Sequence, residues 1–220
     1  MKLYSCWQSL ASFRVRIALN LKGIAYELVA VDLDRRQQFD GAYAALNPQM
    51  ALPALVLDDG TVLTQSLAIL DYLDEACPTP ALLPADAKGR ARVRALAAMI
   101  ACDVHPLTTP RVQRYLTEVL HVDDAARGAW LRHWAAETLT AFEAQVAGHP
   151  STGRFAHGDA PTMADICLVG HAVFAVNKGL DLASAPTVKR IFEAAMALPA
   201  FAQAHPLAQP DTPEPLRRNS

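Results

Sequence analysis

Lys2-Leu3-Tyr4-Ser5-Cys6, followed by Ser9-Leu10-Ala11-Ser12-Phe13-Arg14-Val15-Arg16-Ile17-Ala18-Leu19, is the stretch on which the fold turns. The first segment reads as a strand. In the second, Val15, Ala18, Leu19 and Lys22 recur at helical spacing, Ile17 and Leu21 lie on the neighbouring face, and Gly23 supplies a helix stop. Hydroxyl residues therefore fall where a strand end hands over to a helix start. Such a junction presents unpaired backbone N–H groups and the positive end of the helix dipole, so it favours an anion. The anion could be a phosphate, a carboxylate or a thiolate. No glycine-rich loop is present to wrap a phosphate, and the segments further along favour a thiolate.

Working outward, Tyr26 to Val31 reads as a second strand, and Asn47-Pro48 is a breaker. Between them Phe39, Tyr43 and Leu46 mark a short helix. Ala54-Leu55-Val56-Leu57, Asp58-Asp59-Gly60 and Thr61-Val62-Leu63-Thr64 form a β-hairpin pattern, with an Asp-Gly turn between two apolar runs. A helix opens at Ser66, passes through Leu67, Ile69, Leu70, Tyr72 and Leu73 to Ala76, and is stopped by Pro78 and Pro80. The order β-α-β-α-β-β-α over residues 1–80 predicts a small α+β domain of the thioredoxin type.

Pro78 to Pro84 reads as a linker, and from there the composition turns to Ala- and Leu-rich helical periodicity without a convincing strand. Residues 87–220 are therefore expected to form an all-α domain. One long helix runs from near Ala87 past Met99 towards His105-Pro106. Others lie around Trp130 to Val146, Thr162 to Val176 and Pro186 to Leu198. Thr162-Met163-Ala164-Asp165 has the outline of a capping box and reads as a structural cap. From His205 onward, prolines and polar residues indicate an irregular tail.

Composition narrows the function classes. Across 220 residues, 20 Lys and Arg face 22 Asp and Glu, interspersed, for a formal net charge of −2. This is no footprint of a nucleic-acid partner or a membrane surface. The most apolar run, Ile166 to Val176, is interrupted by His171 and is too short to span a bilayer. No signal-peptide pattern precedes the first strand, and Cys6, Cys77, Cys102 and Cys167 have neither metal-ligand nor disulfide-framework spacing. A reduced, cytoplasmic setting without a bound metal is expected.

With these elements in order, the chain resembles the zeta class of glutathione transferases, which contains the maleylacetoacetate and glutathione-dependent maleylpyruvate isomerases. The resemblance rests on Ser12-Phe13-Arg14-Val15-Arg16-Ile17-Ala18-Leu19, Ala45-Leu46-Asn47-Pro48-Gln49, Gln65-Ser66-Leu67-Ala68-Ile69 and Pro78-Thr79-Pro80-Ala81-Leu82-Leu83-Pro84. Further along it includes Cys102-Asp103-Val104-His105-Pro106, Thr162 to Val169 and Gln209-Pro210-Asp211-Thr212-Pro213. It implies a thioredoxin-like N-terminal domain that binds glutathione, an all-α C-terminal domain, and a homodimer acting on a small electrophilic substrate.

The resemblance also assigns residues. Ser9 is the catalytic candidate: its hydroxyl would donate to the glutathione sulfur, and the helix start would add partial positive charge, so that thiolate is favoured over thiol. An ordinary helix cap is the plainer role, which Ser12 could equally supply. Leu52-Pro53 matches the point where the fold places a cis-proline beside the cysteinyl unit. Gln65 and Ser66 match the site of the γ-glutamyl carboxylate, where an N-cap serine is the alternative. Gln49 and His105 match positions near glutathione, against the alternatives of an exposed loop glutamine and a structural helix-end histidine.

The chain also departs from the family. Where zeta enzymes commonly read Ser-Ser-Cys-Ser, it has Ser9-Leu10-Ala11-Ser12, so a protein-cysteine mechanism loses its nucleophile. Gln8 stands where many of these isomerases carry arginine. Arginines that bind substrate carboxylates are replaced around Val176 and Asn177, while Arg111 remains. The implied activity is cis–trans isomerisation of a maleyl-type dicarbonyl acid. A general conjugating glutathione transferase and a non-catalytic binding protein are the alternatives. Cys6-Trp7-Gln8-Ser9 has the outline of a one-cysteine redox motif, but its cysteine belongs to the strand and a serine occupies the helix start.

Overall fold

The computed structural model describes residues 1–217, and the chain divides into two units: Met1–Leu82 together with the segment from Ala197 onward, and Leu83–Met196. In the first unit, β1 (Lys2–Ser5), β2 (Glu27–Ala30), β3 (Ala54–Val56) and β4 (Val62–Thr64) form one sheet in the order β2-β1-β3-β4. β1 runs parallel to β2, with Leu3 opposite Leu28, and antiparallel to β3, with Leu3 opposite Leu55. A parallel pair requires a crossover, and α1 (Leu10–Leu21) is that crossover. β3 and β4 are joined through Asp59-Gly60, where Gly60 has φ +88°, a conformation that side chains rarely adopt. α2 (Gly41–Leu46) precedes β3 and α3 (Ser66–Ala76) follows β4, so the strand and helix order matches the reading of residues 1–80.

Side chains of β1 alternate across the sheet. Leu3 and Ser5 are fully buried, whereas Tyr4 packs against the cluster of Val31, Tyr43 and Ala54 together with Leu46 and Leu52. α1 carries an unbroken buried run from Ala11 to Leu19 that includes two arginines. Helical geometry separates Arg14 from Arg16 by about 200°, so both sides of α1 are covered. It packs against α3 and against α10 (Pro199–Ala204), whose Ala200 carbonyl accepts from the Asn20 amide at 3.1 Å.

The C-terminal segment is where the structure differs from the sequence reading of domains. Residues 87–220 were expected to form one helical domain, but the segment from Ala197 belongs to the first unit. The reason is the Arg16 guanidinium. It is fully buried and donates to the Ala204 carbonyl at 3.1 Å, a contact 188 positions away in sequence. From His205 the irregular tail expected from the sequence is held by hydrogen bonds. It contains short 3-10 turns at Pro206–Ala208 and Glu214–Leu216, and the side chains of Gln209 and Thr212 are buried in hydrogen bonds to its own backbone.

The second unit is helical: α4 (Ala87–Ala98), α5 (His105–Thr108), α6 (Pro110–Glu118), α7 (Asp124–Val146), α8 (Met163–Asn177) and α9 (Pro186–Met196). α4 and α5 are joined by a π-helical turn, Met99–Val104, in which the His105 N–H reaches the Ile100 carbonyl five residues back. Pro106 follows and has no N–H to donate. α8 is the central helix, with twelve of its fifteen residues buried. At its start the Asp165 carboxylate accepts from the Thr162 N–H and hydroxyl, both at 2.8 Å, and from the Ala156 N–H at 2.7 Å. The capping box expected from sequence is thus formed, and it also secures the preceding loop. Complete burial raises the Asp165 pKa against these hydrogen bonds, which lower it. Arg92 of α4 fastens the same loop through Ala156 O (2.6 Å) and Thr152 Oγ1 (3.0 Å).

Lys22 closes the first unit. Its side chain is fully buried, and the ammonium pairs with Asp74 at 3.2 Å while donating to the carbonyls of Cys77 (2.6 Å) and Pro80 (2.8 Å). Asp74 also accepts from the Leu82 N–H at 2.6 Å, so the end of α1, the end of α3 and the chain beyond meet at one ion pair. Removing one partner of a buried pair leaves an uncompensated charge, at a cost of about 3–5 kcal/mol. Lys22→Met should therefore lower the thermal unfolding midpoint by roughly 6–12 °C, as measured by circular dichroism. An unchanged midpoint would show that the pair does not hold this corner.

Candidate functional site

The β1–α1 junction forms as the sequence suggests, and it distinguishes the two hydroxyls. Ser9 is the N-cap of α1, in extended conformation, and its Oγ accepts from the Ser12 N–H at 3.2 Å. Capping occupies an oxygen lone pair and leaves the Ser9 O–H proton to donate elsewhere. Ser12 lies inside the helix, fully buried, and its Oγ has no hydrogen-bond partner among the described residues. Cys6 is also buried, and burial pushes its thiol pKa up against the lowering hydrogen bonds from the Gln8 and Leu33 amides. A buried thiol that resists ionisation is unsuited to thiol–disulfide exchange. Gln8 is exposed, and its amide donates to Asp34 at 3.3 Å.

A second junction, β4 into α3, carries Gln65 and Ser66. Gln65 has φ +67° and ψ 114°, a strained conformation worth about 1–3 kcal/mol, and its side chain does not cap the helix. Instead the Gln65 side-chain Nε2 donates to the Gln49 side-chain Oε1 at 2.8 Å. The amides of the first turn of α3 are therefore not taken by the residue that would ordinarily cap them. Ser66, at the first helical position, is buried, and its Oγ accepts from Arg14 Nη1 at 3.1 Å. A hydroxyl, a guanidinium and a helix start thus converge, which is an arrangement for a carboxylate.

Gln49 is held in place by its loop. The Asn47 carbonyl oxygen of its side chain accepts from the Gln49 N–H (3.1 Å), and the Asn47 amide and Tyr43 hydroxyl both donate to the Ala51 carbonyl at 2.7 Å. Burial pushes the Tyr43 pKa up to about 12, so its phenol remains a donor at neutral pH. The Leu52–Pro53 bond that follows is cis, and β3 starts at Ala54. Gln49, Leu52, Pro53, Gln65 and Ser66 therefore fall in one unit with Ser9. His105 falls in the other unit, at the first position of α5.

Arg14 is the residue that sequence reasoning did not single out. The available signal was Arg14-Val15-Arg16 inside a helix otherwise apolar enough to be buried, because a guanidinium inside a core must be satisfied by specific acceptors. Among the described residues no group of three or more His, Cys, Asp and Glu side chains could hold a metal, and no helix is long and apolar enough to cross a membrane.

Comparison with known proteins places these junctions in a family. The family described as Glutathione S-transferase, N-terminal domain matches residues 3–81. A maleylpyruvate isomerase from a Ralstonia species is 47% identical over 213 residues, covering 96% of this chain and all of that protein. The holo structure of a maleylpyruvate isomerase, a bacterial zeta-class glutathione transferase, superimposes with a TM-score of 0.94 at 46% identity, covering 97% of this chain and 100% of the other. A maleylacetoacetate isomerase from Methylobacterium extorquens with bound malonate and glutathione gives the same TM-score, 0.94, at 49% identity and the same coverages of 97% and 100%. With identity this high along nearly its whole length, the chain belongs to the zeta-class glutathione transferases.

Proposed function

We propose that this chain is a glutathione-dependent cis–trans isomerase of a maleyl-type dicarbonyl acid, maleylpyruvate or maleylacetoacetate. The observation that carries the glutathione half is the start of α3, where Ser66, backed by Arg14, adjoins helix amides that the Gln65 side chain does not cap. The full-length relatives named for this reaction, one of them with a dicarboxylate and glutathione bound, support the isomerase half. A conjugating transferase would use the same glutathione site and consume what an isomerase recycles.

The residues present fit glutathione. Ser66 and the first amides of α3 suit its γ-glutamyl carboxylate, Gln65 and Gln49 offer amide groups beside it, and Leu52-Pro53 offers backbone to the cysteinyl unit. His105 is assigned by resemblance alone. When bound, glutathione supplies a nucleophilic sulfur that adds to a carbon–carbon double bond and leaves again after rotation, so it acts as a cofactor. Ser9 donates its hydroxyl proton to that sulfur while its lone pair goes on capping α1. Donor and helix start both favour the anion, which draws a thiol pKa of about 8.5 towards neutrality. Two alanine variants separate these roles. Ser66→Ala should weaken glutathione binding in calorimetry with little change in turnover at saturation. Ser9→Ala should cut turnover by roughly one to two orders of magnitude and move the rise of activity with pH to higher pH. Unchanged affinity in the first, or unchanged turnover in the second, contradicts the corresponding assignment.

On the substrate side, Gln8 replaces a cation that would meet a carboxylate. Gln8→Arg should lower the substrate KM and leave glutathione affinity alone. Because Asp34 lies within reach of residue 8, the gain should be larger in an Asp34→Asn background. Steady-state isomerase kinetics on both variants checks this, and a KM unmoved in both removes residue 8 from substrate binding.

The family resemblance further supports a two-fold homodimer, and the absence of disulfides among the described cysteines fits a reducing cytoplasm. Light scattering at micromolar concentration should return twice the chain mass. A monomer would contradict the proposed assembly.

A further inference from the structure

The direction of the Ser9 hydroxyl is set by Cys6-Trp7-Gln8-Ser9, a turn between β1 and α1 with no ladder of its own. Its backbone is fastened from two sides. On one, Arg16 donates from Nη1 to Cys6 O (3.2 Å) and Ser5 Oγ (2.9 Å), and from Nη2 to Trp7 O (3.2 Å). On the other, the Trp7 N–H donates to Asp211 Oδ2 at 2.8 Å, across 204 positions of sequence. Within the turn, Ser9 N–H closes onto Cys6 O at 3.0 Å.

The C-terminal segment is built to hold that carboxylate in place. Thr212 Oγ1 donates to Pro206 O (2.6 Å), Gln209 Nε2 to Gln203 O (2.8 Å) and His205 O (3.0 Å), and Thr212 N–H to Gln209 O (3.1 Å). Arg217 adds Pro210 O (2.6 Å) and Thr212 O (2.9 Å). These side chains satisfy the segment's own backbone, whereas Asp211 turns away from it to the Trp7 amide. The second carboxylate oxygen, Oδ1, is buried without a hydrogen-bond partner among the described residues. A buried, unsatisfied carboxylate oxygen costs stability, so stability alone does not account for this placement, which points to a positional role.

We propose that Asp211 is a positioning residue for the reaction: by holding the Trp7 amide, opposite the grip of Arg16 on the neighbouring carbonyls, it fixes the turn that aims the Ser9 hydroxyl. The proposal rests on the role given to Ser9 above. It is separable from a simple charge effect by sign. A carboxylate near the sulfur disfavours a thiolate, so deleting its charge alone would lower the thiolate pKa, whereas misaiming Ser9 raises it.

The experiment is an ultraviolet titration of the thiolate in the glutathione complex, with kcat, KM and amide hydrogen exchange, for wild type, Asp211→Ala, Asp211→Asn and Ser9→Ala. Asp211→Ala is expected to raise the thiolate pKa by about one unit and lower kcat about tenfold, as loss of an aimed donor does. Glutathione affinity should stay within about twofold, because Ser66 is untouched. The Trp7 amide should exchange faster in the chain without glutathione. Asp211→Asn keeps an acceptor oxygen and should restore kcat without raising the pKa. Wild-type values in Asp211→Ala, or a lowered pKa there, overturn the proposal, as does an asparagine variant as impaired as alanine. If Ser9→Ala shifts the pKa and Asp211→Ala does not, only this inference fails. If Ser9→Ala does not shift it, the reading of Ser9 fails and this inference with it. Should the alanine variant not fold, Asp211→Glu displaces the same acceptor by one methylene and should shift pKa and kcat in the same directions. Wild-type values there overturn the proposal equally.

Discussion

A guanidinium buried beneath a turn is the interaction on which the first unit depends. Arg16 is fully buried, and burial draws its pKa down to about 10, which still leaves it charged at neutral pH. A buried charge is tolerated only when its hydrogen-bonding groups are matched. Here three nitrogens meet Ser5 Oγ and the carbonyls of Cys6, Trp7 and Ala204, and the guanidinium lies 5.6 Å from the Phe13 ring centroid. The same side chain therefore shapes the turn that leads to Ser9 and brings the C-terminal segment back to α1. Replacing it would take this donor from the Trp7 and Ala204 carbonyls, while Cys6 O would keep only the Ser9 N–H.

The two junctions share one device. Ser9 and Ser66 each stand at a helix start, and each oxygen accepts an internal hydrogen bond, from the Ser12 amide and from Arg14 respectively. An accepting hydroxyl retains its proton, so both can donate outward to an anion. Arg14 and Arg16, on opposite sides of α1, support one junction each. The helix is thus a structural axis whose buried charges serve the β1–α1 and β4–α3 junctions, which explains why its sides are not divided into an apolar and a polar face.

Local patterns in the sequence were sufficient for the succession of strands and helices over residues 1–80, the Asp59-Gly60 hairpin, α1, α3, α7, α8 and the Thr162–Asp165 cap, since each is specified by residues within a few positions of one another. Gln49, Leu52, Pro53, Gln65 and Ser66 were reached through family motifs, and the structure gathers them with Ser9 in one unit. Less legible were features set by distant contacts. The return of the segment from Ala197 depends on Arg16 meeting Ala204, and the Trp7–Asp211 bond joins opposite ends of the chain. Neither leaves a periodic signal. The positive φ of Gln65 is imposed by its surroundings against its own preference, and the π-helical turn before His105-Pro106 is a shift of hydrogen-bond register that apolar spacing does not report.

The most direct test is a crystal structure of the chain with glutathione bound. The γ-glutamyl carboxylate should lie on the Ser66 hydroxyl and the first amides of α3, and the sulfur should lie within hydrogen-bond distance of Ser9 Oγ while that oxygen still accepts from the Ser12 N–H. A sulfur directed away from Ser9, or a carboxylate bound away from the start of α3, would contradict the assignment of this site.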